Sequence, residues 1–141
     1  MTAKEFLSQA RNIDRRIDHV QERIERLRSR VESGRMSRLT GMPRGGSGDW
    51  TDAEARLIEL ESRYGDEIRR FCRIKIQAVD AIRNVGNSTY EEILTLRYLD
   101  GLTWEAISEA MGYDVRYVQK LHGKALQCVT VPAEYSQPGR E

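Results

Sequence analysis

The stretch from Thr103 to Leu121, TWEAISEAMGYDVRYVQKL, predicts two short helices joined by a tight turn. Thr103 can cap the first helix, which covers residues 104–111 and carries an acidic residue in its first turn. Asp114 can cap the second helix, which is predicted to run from residue 115 to about residue 129. The stretch therefore predicts an all-α fold in this part of the chain.

The turn between these helices contains Gly112, which can adopt the positive φ that a tight turn needs. Two short helices joined by such a turn are typical of a helix-turn-helix motif. Ser108 is the small residue needed where the two helices cross closely. Five residues occupy the positions predicted to face inward: Ile107, Met111, Tyr113, Val118 and Leu121.

One further short helix is predicted before this pair. Ser88 and Glu91 form a capping box, and Asp100-Gly101 ends the helix after Leu99. Residues 87–129 are therefore predicted to form a three-helix helix-turn-helix domain. The tail, residues 130–141, contains Pro132, Pro138 and Gly139 and is predicted to be disordered.

The outward side of the last helix carries the candidate DNA-binding face: Arg116, Tyr117, Gln119, Lys120 and Lys124. Arginine and lysine can bind guanine edges or phosphates, and glutamine can bind adenine, so this face predicts a contact with double-stranded DNA. The alternative is an ordinary solvated helix surface. His122 lies beside an inward position, so a structural role is predicted for it rather than a base contact.

The charge of the predicted domain opposes this interpretation. Residues 87–127 contain four basic and six acidic side chains, a net charge of 4 − 6 = −2, whereas DNA-binding domains usually carry a basic surface. Most of the acids lie on the first two short helices, and the basic residues concentrate on the third. We expect a single copy to bind DNA weakly, so that two copies or a protein partner are needed.

The N-terminal part contains a heptad pattern, with apolar residues spaced alternately by four and three. These residues are Phe6, Ala10, Ile13, Ile17, Val20, Ile24, Leu27 and Val31. The pattern predicts one helix over residues 6–31 that must bury a narrow apolar stripe against another helix. Residues 33–50 follow as a glycine-rich linker with three arginines and no acid before Asp49, interpreted as a solvated linker or, alternatively, as a phosphate-contacting arm.

A second long helix is predicted after the linker. Thr51 and Glu54 form a capping box, and a second apolar stripe runs on until about Asn84 or Val85. Residues 1–86 are therefore predicted to form a long, coiled-coil-like helical hairpin. Two helices cannot build a thick core, so we expect this segment to associate into a homodimer or a higher homo-oligomer.

Composition excludes several classes of protein. The 141 residues are 32% charged and 39% hydrophobic, with 23 basic against 22 acidic side chains, which favours long solvated helices. Neither a transmembrane run nor a signal core is evident, so a cytoplasmic protein is expected. Cys72, Cys128 and the two histidines lack the spacing of a metal site, and we expect no cofactor. No catalytic or phosphate-loop motif occurs, so the chain is not expected to be an enzyme.

The segment Leu96–Ile107, LRYLDGLTWEAI, resembles the start of region four of bacterial RNA polymerase sigma factors. Residues 121–126, LHGKAL, and the segment from Trp104 to Tyr113 resemble short phage and prophage proteins of the ArpU-like kind even more closely. This resemblance covers about residues 88–128 and implies a DNA-binding regulator of phage late genes, or a prophage protein of unassigned role. The region of sigma factors that melts promoter DNA has no counterpart here.

The sequence thus predicts a phage or prophage DNA-binding transcriptional regulator. Two alternatives remain open. One is a small terminase-type DNA-packaging subunit, which would also combine a helix-turn-helix with oligomerising helices. The other is a module that docks on RNA polymerase without reading DNA, which would suit the acidic first two short helices.

Overall fold

The computed structural model describes residues 1–39 and 50–135, with side chains described for residues 1–34 and 52–135. This part of the chain is all-helical, as predicted, and contains no strand. The α-helices are α1 (Ala3–Ala10), α2 (Ile13–Leu39), α3 (Trp50–Arg83), α4 (Ser88–Leu94), α5 (Trp104–Met111) and α6 (Val115–Gln127). A π-helical turn covers Thr95–Leu99, and a 3-10 turn covers Ala133–Tyr135.

The chain divides into two compact units that do not follow the predicted boundary at residue 86. The first unit combines Met1–Ile13 with the chain from Phe71 onward, and the second comprises Asp14–Arg70. Because α2 and α3 each run from one unit into the other, the long helices do not form a domain of their own.

The helix predicted over residues 6–31 is interrupted. α1 ends at Ala10, and α2 begins at Ile13. The break consists of Arg11, whose backbone is extended, and Asn12, which adopts a positive φ of 67°. Asparagine tolerates this left-handed conformation better than most side chains do. Thr2 and Glu5 form a capping box at the start of α1. The first part of the heptad pattern therefore belongs to a separate short helix.

α1 helps to build the core of the first unit. Phe6, Leu7 and Ile13 are at most 1% exposed, and α1 packs against α6 and the π-helical turn. The other large, fully buried side chains come from the C-terminal helices: Ile93, Leu94, Ile107 and Val118. The three predicted short helices thus have a fourth partner from the N-terminus.

The segment after α6 also packs in this unit. Tyr135 places its ring 5.3 Å from that of Phe6 and donates a hydrogen bond to Gln77 at 2.8 Å. Glu134 forms an ion pair with Arg73 at 3.2 Å. The structure therefore differs from the predicted disorder at residues 134 and 135: Glu134 has a partner on α3, and Tyr135 has partners on α1 and α3. Residues 136–141 lie outside the described part of the chain.

The second unit contains the rest of α2 and the first part of α3. Among the side chains described in this unit, Val20 is buried, with 4% exposure, whereas Ile17, Ile24 and Leu27 are half-buried. Arg28 on α2 and Glu61 on α3 form an ion pair at 2.6 Å. This pair is partly exposed, so it contributes little to stability.

Two predicted helix boundaries in this region are wrong. α2 continues through Gly34 to Leu39, so the linker predicted from residue 33 begins later. A single glycine costs a helix only about 1 kcal/mol, which neighbouring residues can offset. α3 already includes Trp50, so Thr51 lies in its first turn instead of capping it. Residues 40–49, most of the predicted arginine-containing linker, lie outside the described residues.

α4 also starts one residue earlier than the predicted capping box. Asn87 is the N-cap, because its extended backbone lets the side chain accept hydrogen bonds from the main chain of Thr89 and Tyr90. Ser88 is the first helical residue. The helix then widens into the π-helical turn, and Gly101, with a φ of 69°, redirects the chain into α5.

Candidate functional site

α6 has one buried and one exposed side. Its buried residues are Val118, Leu121, His122 and Ala125, with exposures of 0–8%. Their spacing of three, one and three places them on one stripe of a helix. This stripe packs against α4 and α5, and so fixes which side of α6 faces solvent.

The candidate DNA-binding face lies on the opposite side of α6. All five of its residues, Arg116, Tyr117, Gln119, Lys120 and Lys124, are exposed. Gln119 and Lys120 follow Arg116 by three and four positions, so both lie next to Arg116 on the helix surface. The helix contains no acidic residue, so the charge of its exposed side is positive.

The residues at the start of α6 differ from the prediction in two ways. Tyr113 was predicted to face inward, but it is 41% exposed, and its ring packs edge-on against that of Tyr117 at 5.1 Å. The left-handed Gly112, with a φ of 71°, turns the chain so that Tyr113 points outward. Asp114 occupies the N-cap position as predicted, although its side chain makes no capping hydrogen bond.

The turn between α5 and α6 is held by Ser108. Its carbonyl oxygen accepts hydrogen bonds from the main-chain N–H groups of Gly112 and Tyr113, at 2.9 and 3.2 Å. Its hydroxyl donates to the carbonyl of Tyr113. Thr103 caps the start of α5 by accepting from Ala106, as predicted. Behind this turn, Ile107 and Val118 are fully buried, which confirms their predicted inward orientation.

A cluster of polar and aromatic side chains lies behind α6. His122 Nε2 and the hydroxyl of Tyr98 share a hydrogen bond of 2.7 Å, and the ring of Trp104 meets the imidazole edge-on at 4.7 Å. The guanidinium of Arg97 lies 4.1 Å from the centre of the Trp104 ring and donates to the carbonyl of Leu102. His122 therefore joins α6 to α5 and to the π-helical turn, in agreement with its predicted structural role.

Burial shifts the titration of this cluster. Desolvation, followed by the charges of Arg97 and Lys4, lowers the pKa of His122 to about 4. Burial also raises the pKa of the Tyr98 hydroxyl. The imidazole is therefore neutral at physiological pH and adds no charge to α6.

Sequence reasoning missed the partners of His122. Tyr98 and Trp104 precede it by 24 and 18 residues, so no local spacing connects the three. It also missed Arg97, which lies in the π-helical turn and places its guanidinium over the ring of Trp104. The only sequence signal for such a cluster was the place of His122 beside Leu121, which was predicted to face inward.

Other chemistry is sparse in the described residues. In residues 1–39 and 50–135, no group of three histidine, cysteine, aspartate or glutamate side chains could hold a metal ion. Cys72 and Cys128 are exposed free thiols. None of the described helices is both long and apolar enough to cross a membrane.

Comparison with known proteins adds no relative. The chain matches no protein-family model, no curated protein and no solved structure.

Proposed function

We propose that this chain binds double-stranded DNA through α5, the Gly112 turn and α6, acting together as a helix-turn-helix. The observation that carries this proposal is the division of α6 into two sides. Val118, Leu121 and Ala125 are buried. The exposed side presents Arg116, Gln119, Lys120 and Lys124 and no acidic residue. An exposed basic helix face on a packed support is suited to the major groove of DNA.

Each residue of the face has chemistry that DNA can use. Arg116 can bind a guanine edge through two hydrogen bonds, and Gln119 can bind an adenine edge in the same way. Lys120 and Lys124 supply charge for phosphates. The ring of Tyr117 packs edge-on against that of Tyr113, and this contact restricts the ring of Tyr117 in the absence of DNA. The restriction lowers the entropy that binding costs.

Hydrogen bonds and buried packing hold the helices behind the candidate DNA-binding face. Ser108 holds the turn through three hydrogen bonds, and His122 links α6 to Tyr98 and Trp104. A helix held on both its turn and its buried stripe keeps its exposed side chains in a fixed register. Such preorganisation is needed for contacts that must meet base edges at defined spacing.

Two copies of the chain are expected to act together. Glu92, Glu105 and Glu109 are exposed on α4 and α5, and their charge opposes the approach of DNA to a single unit. The ion pair between Arg28 and Glu61 supports the predicted hairpin of α2 and α3. We propose that the half-buried edge of α2 at Ile17 and Ile24 pairs two chains into a homodimer.

The sequence resemblance supports a role as a phage or prophage transcription regulator in the cytoplasm. A small terminase-type packaging subunit remains an alternative, because it needs the same DNA contact and an oligomerising segment. Light scattering separates the two: a dimer favours the regulator, and a ring of about eight or more copies favours the packaging subunit.

A second candidate function has one observation in its favour. Exposed Glu105 and Glu109 make the outer side of α5 acidic, which suits docking on a basic protein surface such as one on RNA polymerase. The substitution Glu109→Lys separates the possibilities. It should strengthen DNA binding if the glutamate only repels phosphates, and weaken polymerase binding if the glutamate contacts the enzyme.

The DNA proposal is tested by fluorescence anisotropy with a labelled duplex selected from a random library. Arg116→Ala and Lys120→Ala should each weaken binding by about 1–3 kcal/mol if they contact bases, or lower the salt dependence by about one charge if they contact phosphates. The matched control is Arg83→Ala, which removes the same charge from an exposed position at the end of α3.

The three variants should melt at similar temperatures, because each altered side chain is exposed. Equal affinity of wild type, Arg116→Ala and Lys120→Ala would contradict the assignment of α6. An equal loss in Arg83→Ala would indicate that net charge, and not this face, governs binding.

A further inference from the structure

Gly123 lies in the middle of α6, where the packing of the chain itself gives no reason for a glycine. It is exposed, and a Cβ atom built on it would meet nothing within 4 Å. It is not among the residues with positive φ, so alanine could adopt its backbone conformation. Apart from proline, glycine is the least favourable residue in a helix interior, because it loses the most conformational freedom on folding. The residue therefore weakens α6 without serving its fold.

The position of Gly123 on the helix is specific. It follows Arg116 by seven residues, which is two turns, and follows Lys120 by three. It therefore lies on the same stripe as these two residues, directly opposite the buried Val118 and Ala125. Lys124 is its neighbour in sequence. The glycine thus opens a gap in the side chains of the candidate DNA-binding face.

We propose that Gly123 is the point at which a DNA sugar–phosphate backbone approaches the main chain of α6. This proposal rests on the proposed binding of double-stranded DNA by α6. Seven residues of α-helix span about 10.5 Å, and the major groove is about 12 Å wide. When Arg116 lies within the groove, Gly123 is therefore near the wall formed by the phosphates. The missing side chain lets that wall come close, and Lys124 provides the charge beside it.

The surroundings of Gly123 favour DNA over a protein helix. Glycines that bring two helices together are usually flanked by small or apolar residues that fill the interface. Here the exposed neighbours are Lys120, Lys124 and Gln127, which would lose their hydration in such an interface. The same side chains complement a row of phosphates.

The proposal is tested with Gly123→Ala and Gly123→Leu in the full chain. Both substitutions introduce better helix formers at an exposed site, so both should raise the melting temperature, the alanine by about 4–8 °C for a unit of this size. Affinity for the selected duplex should fall by about tenfold or more with leucine and less with alanine, since the added atoms hold the backbone away. Gly65→Ala is the matched control: it lies inside α3, where a Cβ would meet only the end of Arg69, at 4.0 Å.

The outcomes are distinct. A stabilised Gly123→Leu variant with weakened DNA binding, together with a Gly65→Ala variant of unchanged affinity, supports the proposal. Unchanged DNA affinity of Gly123→Leu, with a wild type that binds duplex, overturns this inference but leaves the proposed function standing. A wild type that shows no salt-dependent binding to any duplex overturns both. A change in oligomeric state of Gly123→Leu by light scattering, with DNA affinity retained, assigns the gap to a protein contact instead.

Discussion

His122 should make the stability of the first unit depend on pH. The folded protein binds the proton of this imidazole weakly, because burial and the charges of Arg97 and Lys4 lower its pKa from the ordinary 6.5 to about 4. The unfolded chain keeps the ordinary pKa. The contribution of His122 to the free energy of unfolding is therefore fully present above about pH 6.5 and decreases as the pH falls. It stops decreasing below about pH 4, where the imidazole is protonated in both the folded and the unfolded state.

The size of the effect follows from these two pKa values. Lowering the pH from about 7.5 to about 5.5 protonates the unfolded histidine about 90% and leaves the folded one neutral, so the free energy of unfolding should fall by about 1.3 kcal/mol. The exact depth of the folded pKa matters little in this interval. Most carboxylates stay ionised above about pH 5.5, so their contribution is small.

The assay is urea unfolding followed by the fluorescence of Trp104, whose ring contacts the imidazole of His122. A Trp50→Phe background leaves Trp104 as the only tryptophan. His122→Gln should be less stable at neutral pH, because Tyr98 loses its partner, but it should lose almost none of its stability between the two pH values. His19→Gln is the control, since it removes the other histidine of the chain, which is exposed and lies in the second unit.

If His122→Gln and wild type lose stability equally as the pH falls, another group is responsible and the burial argument for His122 is wrong. Equal slopes in wild type and His19→Gln are required for the comparison to hold. A reduced slope in His19→Gln alone would move the effect to the second unit.

Three further predictions concern the fold and association. Val118→Asp should unfold the first unit, because an unpaired charge would replace a fully buried side chain; a wild-type melting curve would contradict the orientation of α6. Asn12→Ala should lower the free energy of unfolding by about 1 kcal/mol, because alanine tolerates a φ of 67° poorly, whereas Asn12→Gly should not lower it. Thermal melting compares the two variants, and equal melting temperatures would contradict the left-handed conformation of residue 12. Ile17→Asp combined with Ile24→Asp should abolish the dimer and most DNA affinity, and a monomer by light scattering that binds as tightly as wild type would separate association from binding.

The short C-terminal helices could be predicted from sequence because their signals are local. The cap at Thr103 and the positive φ of Gly112 depend on a few neighbouring residues, and the structure contains both. The outward side of α6 could be predicted for the same reason: once Val118 and Leu121 face the core, helical periodicity fixes the opposite side. Tyr113 could not be placed, because it follows the left-handed glycine and helical periodicity does not extend through a turn.

The N-terminal break could not be predicted from apolar spacing. Phe6, Ala10 and Ile13 continue the heptad pattern of the following helix, so the same residues suit one long helix or two. The burial of α1 against the C-terminal helices favours two helices over one, and these contacts join residues that are far apart in the sequence. The capping box of Thr2 and Glu5 was a local signal for a helix start, although it does not reveal where α1 ends.

The burial of α1 in the core of the first unit affects how the protein folds during synthesis. Ribosomes add about 5–20 residues per second, so α1 leaves the ribosome on the order of 6–25 seconds before α6 is complete. During that interval Phe6 and Leu7 have no core to enter, and their apolar surface is open to chaperones or to other nascent chains. Contacts between such distant segments also slow folding after release, since a long loop must close before any of them forms. A fragment limited to residues 87–129 would lack α1, so the apolar surface of α6 and of the π-helical turn that α1 covers would be exposed. Such a fragment should aggregate, even though it retains the entire candidate DNA-binding face.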